Sequence, residues 1–209
     1  MKTLFITDNI KSIRLSPNGF ALLEGKPILS PPEKLVIVDY MPPLLIPQNL
    51  YDKTKNFDYV RLQYATNDSI EIMTEPLEAY CLLFFLPIHD FYMVKNSVEI
   101  PIFTHQSTYL YQMAMQELEL AETEDFIQLF MAQNYINITL KKGGQLRLIN
   151  RFNWAANEDI CYYLFNILKQ FELDSRTCKL LLYDEQGEYV EQISKALRGY
   201  FGWIKESQI

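Results

Sequence analysis

The side chains best suited to chemistry are few and scattered. The chain has two histidines, His89 and His105, and three cysteines, Cys81, Cys161 and Cys178. His89 is followed by Asp90, and His105 lies in Thr104-His105-Gln106-Ser107, where a base and a nucleophile are close in sequence. Neighbours on a strand point to opposite faces, and no strand–turn–helix elbow surrounds Ser107. The stretch therefore reads as a strand end followed by a helix with Ser107 as its N-cap. No cysteine or second histidine stands at ligand spacing from either histidine, so no metal site is expected. The odd, widely spaced cysteines suggest neither a disulfide framework nor a metal knuckle. Glu158 and Asp159 form a carboxylate pair, but acids in the first turn of a helix capped by Asn157 are explained by the helix dipole. Trp154, Tyr162 and Tyr163 could mark a binding surface; at helical spacing they read as packing residues. Gly143-Gly144 is a turn with no phosphate-loop context. No catalytic, cofactor-binding or metal-ligating residue is assigned, and no cofactor is expected.

The elements that would position such residues belong to an ordinary globular chain. Of 209 residues, 49% are hydrophobic and 22% charged, enough for one large domain or two small ones. A net charge of −7 and a pI near 4.9 argue against a nucleic-acid partner or an anionic membrane surface. The longest apolar run, 80–88, contains Pro87 and falls short of the roughly 20 residues that span a bilayer, so no membrane insertion is expected. The first ten residues lack the apolar core and cleavage site of a secretory signal. With unpaired cysteines, this points to the cytoplasm.

In chain order, 12–24 reads as a hairpin around Ser16-Pro17-Asn18-Gly19, with Leu15 opposite Phe20 and Ile13 opposite Leu22. A third strand follows at 34–40. Pro42, Pro43 and Pro47 then make 41–56 an irregular inserted arm. The alternation over 57–65 predicts a strand, and 70–73 another. The run over 75–85 fits a helix or a buried strand. Pro101 inside the strand at 98–104 either demotes it to an edge or marks a bulge. A helix over 107–122 carries Leu110, Met113, Ala114, Leu118 and Ala121 on one face. The acidic run 117–125 closes the first lobe, so the expected domains are 1–124 and 125–209.

The second lobe reads more clearly. Apart from Gln128, residues 126–131 are apolar on both faces, as a covered central strand should be. Strands at 135–141 and 145–152 alternate instead. A two-residue Gly143-Gly144 turn would place Leu140 opposite Arg147. A three-residue loop over 142–144, with Gly144 left-handed, would place Leu140 opposite Leu146 and Ile138 opposite Leu148, and is preferred. A helix from Asn157 buries Ile160, Leu164, Ile167, Leu168 and Phe171. A short apolar strand at 179–183 follows, then a helix over 188–201 with Val190, Ile193, Leu197 and Tyr200 on one face.

A three-stranded meander followed by helix, strand and helix, clear in 126–201 and looser in 12–122, resembles the duplicated lobe of the actin-like ATPase (ribonuclease H-like) fold. SIRLSPNGFALL, FTHQSTYL and RFNWAANEDICYYLFNIL together resemble a bacterial family of unknown function with that fold. The resemblance implies an α/β protein of two lobes, each a βββαβα unit with a mixed sheet flanked by helices. It transfers no reaction. Actin-like ATPases hold phosphates in turns rich in glycine, with an Asp holding Mg²⁺ through water. Here the corresponding turns read Met131-Ala132-Gln133-Asn134-Tyr135, Leu15-Ser16-Pro17-Asn18-Gly19-Phe20 and Asp184-Glu185-Gln186-Gly187-Glu188. The first lacks Asp and Gly, the second loses a donor at Pro17, and the third sets three carboxylates against a phosphate. The expectation is a non-catalytic pseudo-ATPase, a scaffold, adaptor or homo-oligomer acting through protein contacts. The alternative is a divergent ATP-binding protein or kinase using Asp39, Asp90 or Asp184. In a third reading, 41–56 is a partner-binding arm.

Overall fold

A computed structural model gives the fold and describes residues 12–17, 19–23, 33–65, 69–117, 124–184 and 189–208. The chain divides into two compact units, Met1–Tyr109 and Leu110–Ile209.

In the first unit, β1 (Ser12–Ser16) and β2 (Gly19–Leu23) form the expected hairpin, with Leu15 opposite Phe20 and Ile13 opposite Leu22. The apolar run of β3 (Glu33–Val38) is buried from Leu35 to Val38, but β3 pairs with β1, and in parallel. These three strands are therefore not a meander. An inserted subdomain follows: β4 (Leu44–Pro47), two short 3-10 turns at Gln48–Leu50 and Lys53–Lys55, α1 (Asn56–Gln63), β5 (Ile70–Leu77), β6 (Tyr80–Pro87) and α2 (Ile88–Ser97). Then β7 (Ile100–His105) pairs in parallel with β3 and leads into α3 (Gln106–Glu117). The division between units falls within α3, ahead of the acidic run. The sheet order is β2-β1-β3-β7, so the proline-containing β7 is an edge strand, one of the two outcomes Pro101 allowed.

Two expectations for the insertion are corrected and one open alternative is decided. Residues 41–56 are no irregular arm, because β4 pairs antiparallel with β6 and Pro47 closes the strand opposite Tyr80. The segment read as a strand at 57–65 is α1, which buries Val60. Phe57 and Val60 are also three apart, and Asp58 sits in the first turn, so the short alternation carried both periods and the local helical bonds won. The ambiguous 75–85 is a hairpin of β5 and β6 that turns at Glu78, held at φ 50°. As the centre of the β4-β6-β5 sheet, β6 has Cys81–Phe84 and Leu86 buried, so its neighbours on both faces are covered.

The second unit realises the repeat fully. β8 (Phe126–Met131), β9 (Tyr135–Lys142) and β10 (Gln145–Asn153) form a meander. α4 (Asn157–Gln170) crosses to β11 (Lys179–Asp184), parallel to β8, and α5 (Val190–Leu197) crosses to β12 (Trp203–Gln208), parallel to β11. The order β10-β9-β8-β11-β12 leaves β8 central, and all six of its residues are buried. One sheet face (Ile127, Leu129, Ile136, Ile138, Leu140, Leu180, Leu182) packs on α4 (Ile160, Leu164, Ile167) and α5 (Val190, Ile193, Leu197). β12 escaped the sequence reading, which ended at a helix through 201. That helix stops at Leu197, leaving Tyr200 55% exposed while Phe201 is buried. The N-cap of α4 is Ala156, one residue before the expected Asn157. The alanine side chain has no acceptor, so the Asp159 N–H goes to the Ala156 carbonyl at 3.0 Å, while the Asp159 carboxylate reaches back to accept from the Ala155 and Ala156 N–H groups at 2.9 and 3.1 Å. These bonds hold the Asp159 carboxyl below its usual range.

The β9–β10 hairpin solves its register differently from expectation. Gln145 faces Lys142 across a two-residue Gly143-Gly144 turn, and both glycines are left-handed, at φ 58° and 74°. This is the type I′ geometry that suits twisted hairpins. Leu146 faces Lys141, the ladder then skips Arg147, and Leu148 faces Leu140. Arg147 is a β-bulge residue. Were Arg147 paired with Leu140 instead, Leu148 and Phe152 would turn away from the core, since a one-residue slip reverses every side chain. Both instead pack against that core. Deleting Arg147 would join Leu146 to Leu148 in the register already present. We expect the deletion to change stability by less than about 1 kcal/mol in urea unfolding; loss of the fold would refute the bulge assignment.

Candidate functional site

In open α/β sheets, loops and helix N-termini converge at the carboxyl ends of parallel strands, where ligand sites usually lie. The first unit places its polar side chains there. Asp39 directly follows β3, and its N–H donates to the Leu15 carbonyl at 2.8 Å. Its carboxylate receives Arg14 Nη2 from β1 at 2.7 Å, with the two side chains 0% and 8% exposed. Gln106, with its amide nitrogen facing the acid, donates to the same carboxylate. A buried charge pair is tolerated only with such close geometry and added hydrogen bonds.

His105, the last residue of β7, is fully buried. Its Nδ1 accepts from the Ser107 N–H at 3.1 Å, and its Nε2 lies 3.0 Å from the Met41 carbonyl. An Nδ1 that accepts cannot carry a proton, so the ring is neutral with hydrogen on Nε2. His105 is thus the N-cap of α3, correcting the assignment to Ser107. The same bond occupies the ring's lone pair, so Ser107 and His105 do not form a nucleophile–base pair. Next to them, Glu75 of β5 accepts from Thr104 Oγ1 at 2.8 Å and from the His105 N–H at 2.9 Å. Burial pushes its carboxyl above the usual range despite these bonds. Phe84 of β6 lies edge-on to the His105 ring at 5.7 Å.

Asp90 accepts from the Tyr40 hydroxyl at 2.5 Å, and burial beside this carboxylate raises the phenol above its ordinary range. His89, 3.2 Å from Asp90, has a side chain 78% exposed.

In the second unit, Asp184 ends β11 in the place that Asp39 takes after β3. It is buried and accepts from the backbone N–H groups of Tyr189 at 2.5 Å and Val190 at 3.3 Å, capping α5. Residues 185–188, read as an acid-rich turn, lie outside the described residues. The β8–β9 turn is closed by the Ala132 N–H on the Tyr135 carbonyl, and the Trp154 indole donates to the Ala132 carbonyl at 2.9 Å. Tyr163 stacks on Phe152 at 4.6 Å and Trp154 meets Tyr189 edge-on, so both are packing residues as read. Tyr162 is 66% exposed. Glu158 is exposed and Asp159 is the cap already described. Burial raises all three cysteine thiols, Cys178 to about 12. Among the described residues, no group of three His, Cys, Asp or Glu side chains could hold a metal ion.

Arg14 and Glu75 were missed in the sequence. A signal existed for Arg14: a lone charge between the apolar Ile13 and Leu15 of a buried strand needs a partner. Glu75 carried none, since its partners on β7 are adjacent only in space.

This architecture is that of the actin-like ATPase fold. A protein from Bacteroides thetaiotaomicron, described as having an actin-like ATPase fold and unknown function, matches with a TM-score of 0.73 at 16% identity, over 97% of this chain and 94% of that one. A PilM-PilN type IV pilus biogenesis complex matches with a TM-score of 0.54 at 7% identity, over 85% of this chain and 69% of that one. At these identities the likeness concerns fold alone. The chain belongs to the family described as Protein of unknown function (DUF3822), whose match spans residues 5–202. No curated protein matches the sequence. Among the described residues, no helix is long and apolar enough to cross a membrane.

Proposed function

We propose that this protein is a non-catalytic, cytoplasmic member of the actin-like fold that works as a scaffold or adaptor. Its partner is another protein or a second copy of itself, with no role for nucleic acid. The observation that carries this reading is the fate of the acids ending the second parallel strand of each unit. Asp39 is bonded to Arg14 and Gln106, and Asp184 to the first N–H groups of α5. A Mg²⁺–nucleotide needs such a carboxylate turned toward the metal's water shell, and helix N–H groups turned toward phosphate. An arginine beside the first acid supplies the positive charge internally, and in the second unit a carboxylate sits where an anion would bind α5. These residues fit a Mg²⁺–nucleotide poorly. The neighbour described as a PilM-PilN type IV pilus biogenesis complex is compatible with a role in protein assembly.

Titration with Mg-ATP and Mg-ADP is the direct test. Any ligand preferring the native state raises its melting temperature, by about 2.7 kcal/mol of stabilisation at 100 times Kd. We expect no shift with either nucleotide at millimolar concentration. A concentration-dependent rise would overturn the reading in favour of a divergent ATP-binding protein. Light scattering on the purified chain then separates self-association from a requirement for a different partner.

A further inference from the structure

We propose that His105 is a proton-operated cap that fastens the first turn of α3 to the entry of the inserted subdomain and releases that turn in acid. An N-cap must accept a hydrogen bond from a helix N–H. Asp, Asn, Ser and Thr do so with oxygen, which keeps its lone pairs across physiological pH. An imidazole does so only while neutral. The Ser107 N–H points at Nδ1, and the opposite nitrogen already donates to Met41. A second proton would therefore land on Nδ1, replacing an acceptor by a donor that faces another donor. It would also place a cation at the positive end of the helix dipole. Both effects act against the same turn, while the Nε2–H bond to Met41 survives. Loss of order is thus confined to the start of α3.

The groups around the ring define the response. Met41 contributes a carbonyl from the β3–β4 connection, Ser107 an N–H from α3, and Phe84 an uncharged ring edge from β6. Glu75 on β5 binds the His105 backbone N–H, and the Arg14–Asp39 pair is linked to the neighbouring Gln106. Of these, Glu75 titrates in the opposite sense. Its carboxyl lies above the usual range through burial, so its ionisation weighs on the folded state and acid relieves it. A neutral imidazole in the folded state loses ground as pH falls, because the opened chain takes up the proton. Wild-type protein therefore shows a loss on acidification from His105, partly offset by Glu75. Glu75→Gln removes the offset and steepens the loss.

The test uses the full chain and follows two signals by NMR between pH 8 and 5: the His105 ring nitrogens and amide-exchange protection over residues 106–109. His89, the other histidine, is replaced by Gln to leave one imidazole. The expected result is an Nε2–H tautomer at pH 8 and a roughly tenfold fall in Ser107 protection, the scale of a lost cap, tracking ring protonation. His105→Asn, which caps without titrating, should abolish that fall. Ring protonation without change at Ser107, or an equal fall in His105→Asn, overturns the proposal. Should His105→Asn not fold, the paired wild-type titrations decide alone.

Discussion

Replacing Arg14 by methionine is expected to lower stability by about 3–5 kcal/mol, the range for leaving one member of a buried ion pair behind. Asp39 is fully buried and receives Arg14 at 2.7 Å. Without the guanidinium its charge keeps the Gln106 amide but has lost its cation, in a place water does not reach. Urea unfolding followed by far-UV circular dichroism measures the loss. Tryptophan fluorescence is less suitable, because Trp154 and Trp203 both lie in the second unit. The double variant Arg14→Met with Asp39→Leu should recover much of the loss, because an apolar pair of similar volume carries no desolvation cost. An Arg14→Met protein as stable as wild type would refute this account of the pair. It would also remove the main support for the non-catalytic reading, since Asp39 would then not need Arg14.

Gly202→Ala is expected to cost about 3 kcal/mol, at the upper end of ordinary overpacking. Gly202 links the buried Phe201 to β12, and its N–H donates to the Ser175 carbonyl at 3.1 Å. A Cβ there would overlap the Arg176 carbonyl oxygen and press on its carbon. These are backbone atoms and cannot swing aside as a side-chain tip can. The relief open to the chain is to move β12, whose ladder to β11 runs from Lys179 opposite Trp203 to Asp184 opposite Gln208. Trp203 fluorescence reports this directly. Gly199→Ala is the control, since nothing lies within 4 Å of a Cβ at that position. Equal stability of the two variants would refute the steric argument.

Legibility differed sharply between the units, and particular residues show why. The second unit was readable because its strands succeed one another and close locally. The apolar 126–131, the alternating 135–141 and the stripe of α4 each carried a periodicity that needed no distant partner. Its hairpin was half readable. The demand that Leu148 face the core was correct, but turn length and bulge satisfy that demand equally well, and only the packed sheet selects Arg147. In the first unit, β1 and β3 were both recognised as strands, yet their parallel pairing was not, because parallel pairing leaves no turn signal. α1 was misread because eight residues cannot separate a period of two from one of 3.6.

The same division runs through the candidate site. By itself, the sequence determined the fold family, the hairpin 12–24, the central strands of the second unit and the poverty of phosphate-turn chemistry. These depend on residue type and spacing along the chain. Only the tertiary structure decided that Arg14 faces Asp39, that Asp184 caps α5, that Glu75 reaches β7 and that His105 rather than Ser107 caps α3. Each of these is a hydrogen bond whose partner is chosen by where strands end in space. Burial then makes that choice costly to reverse, because a polar group removed from water keeps whichever partner the fold provides.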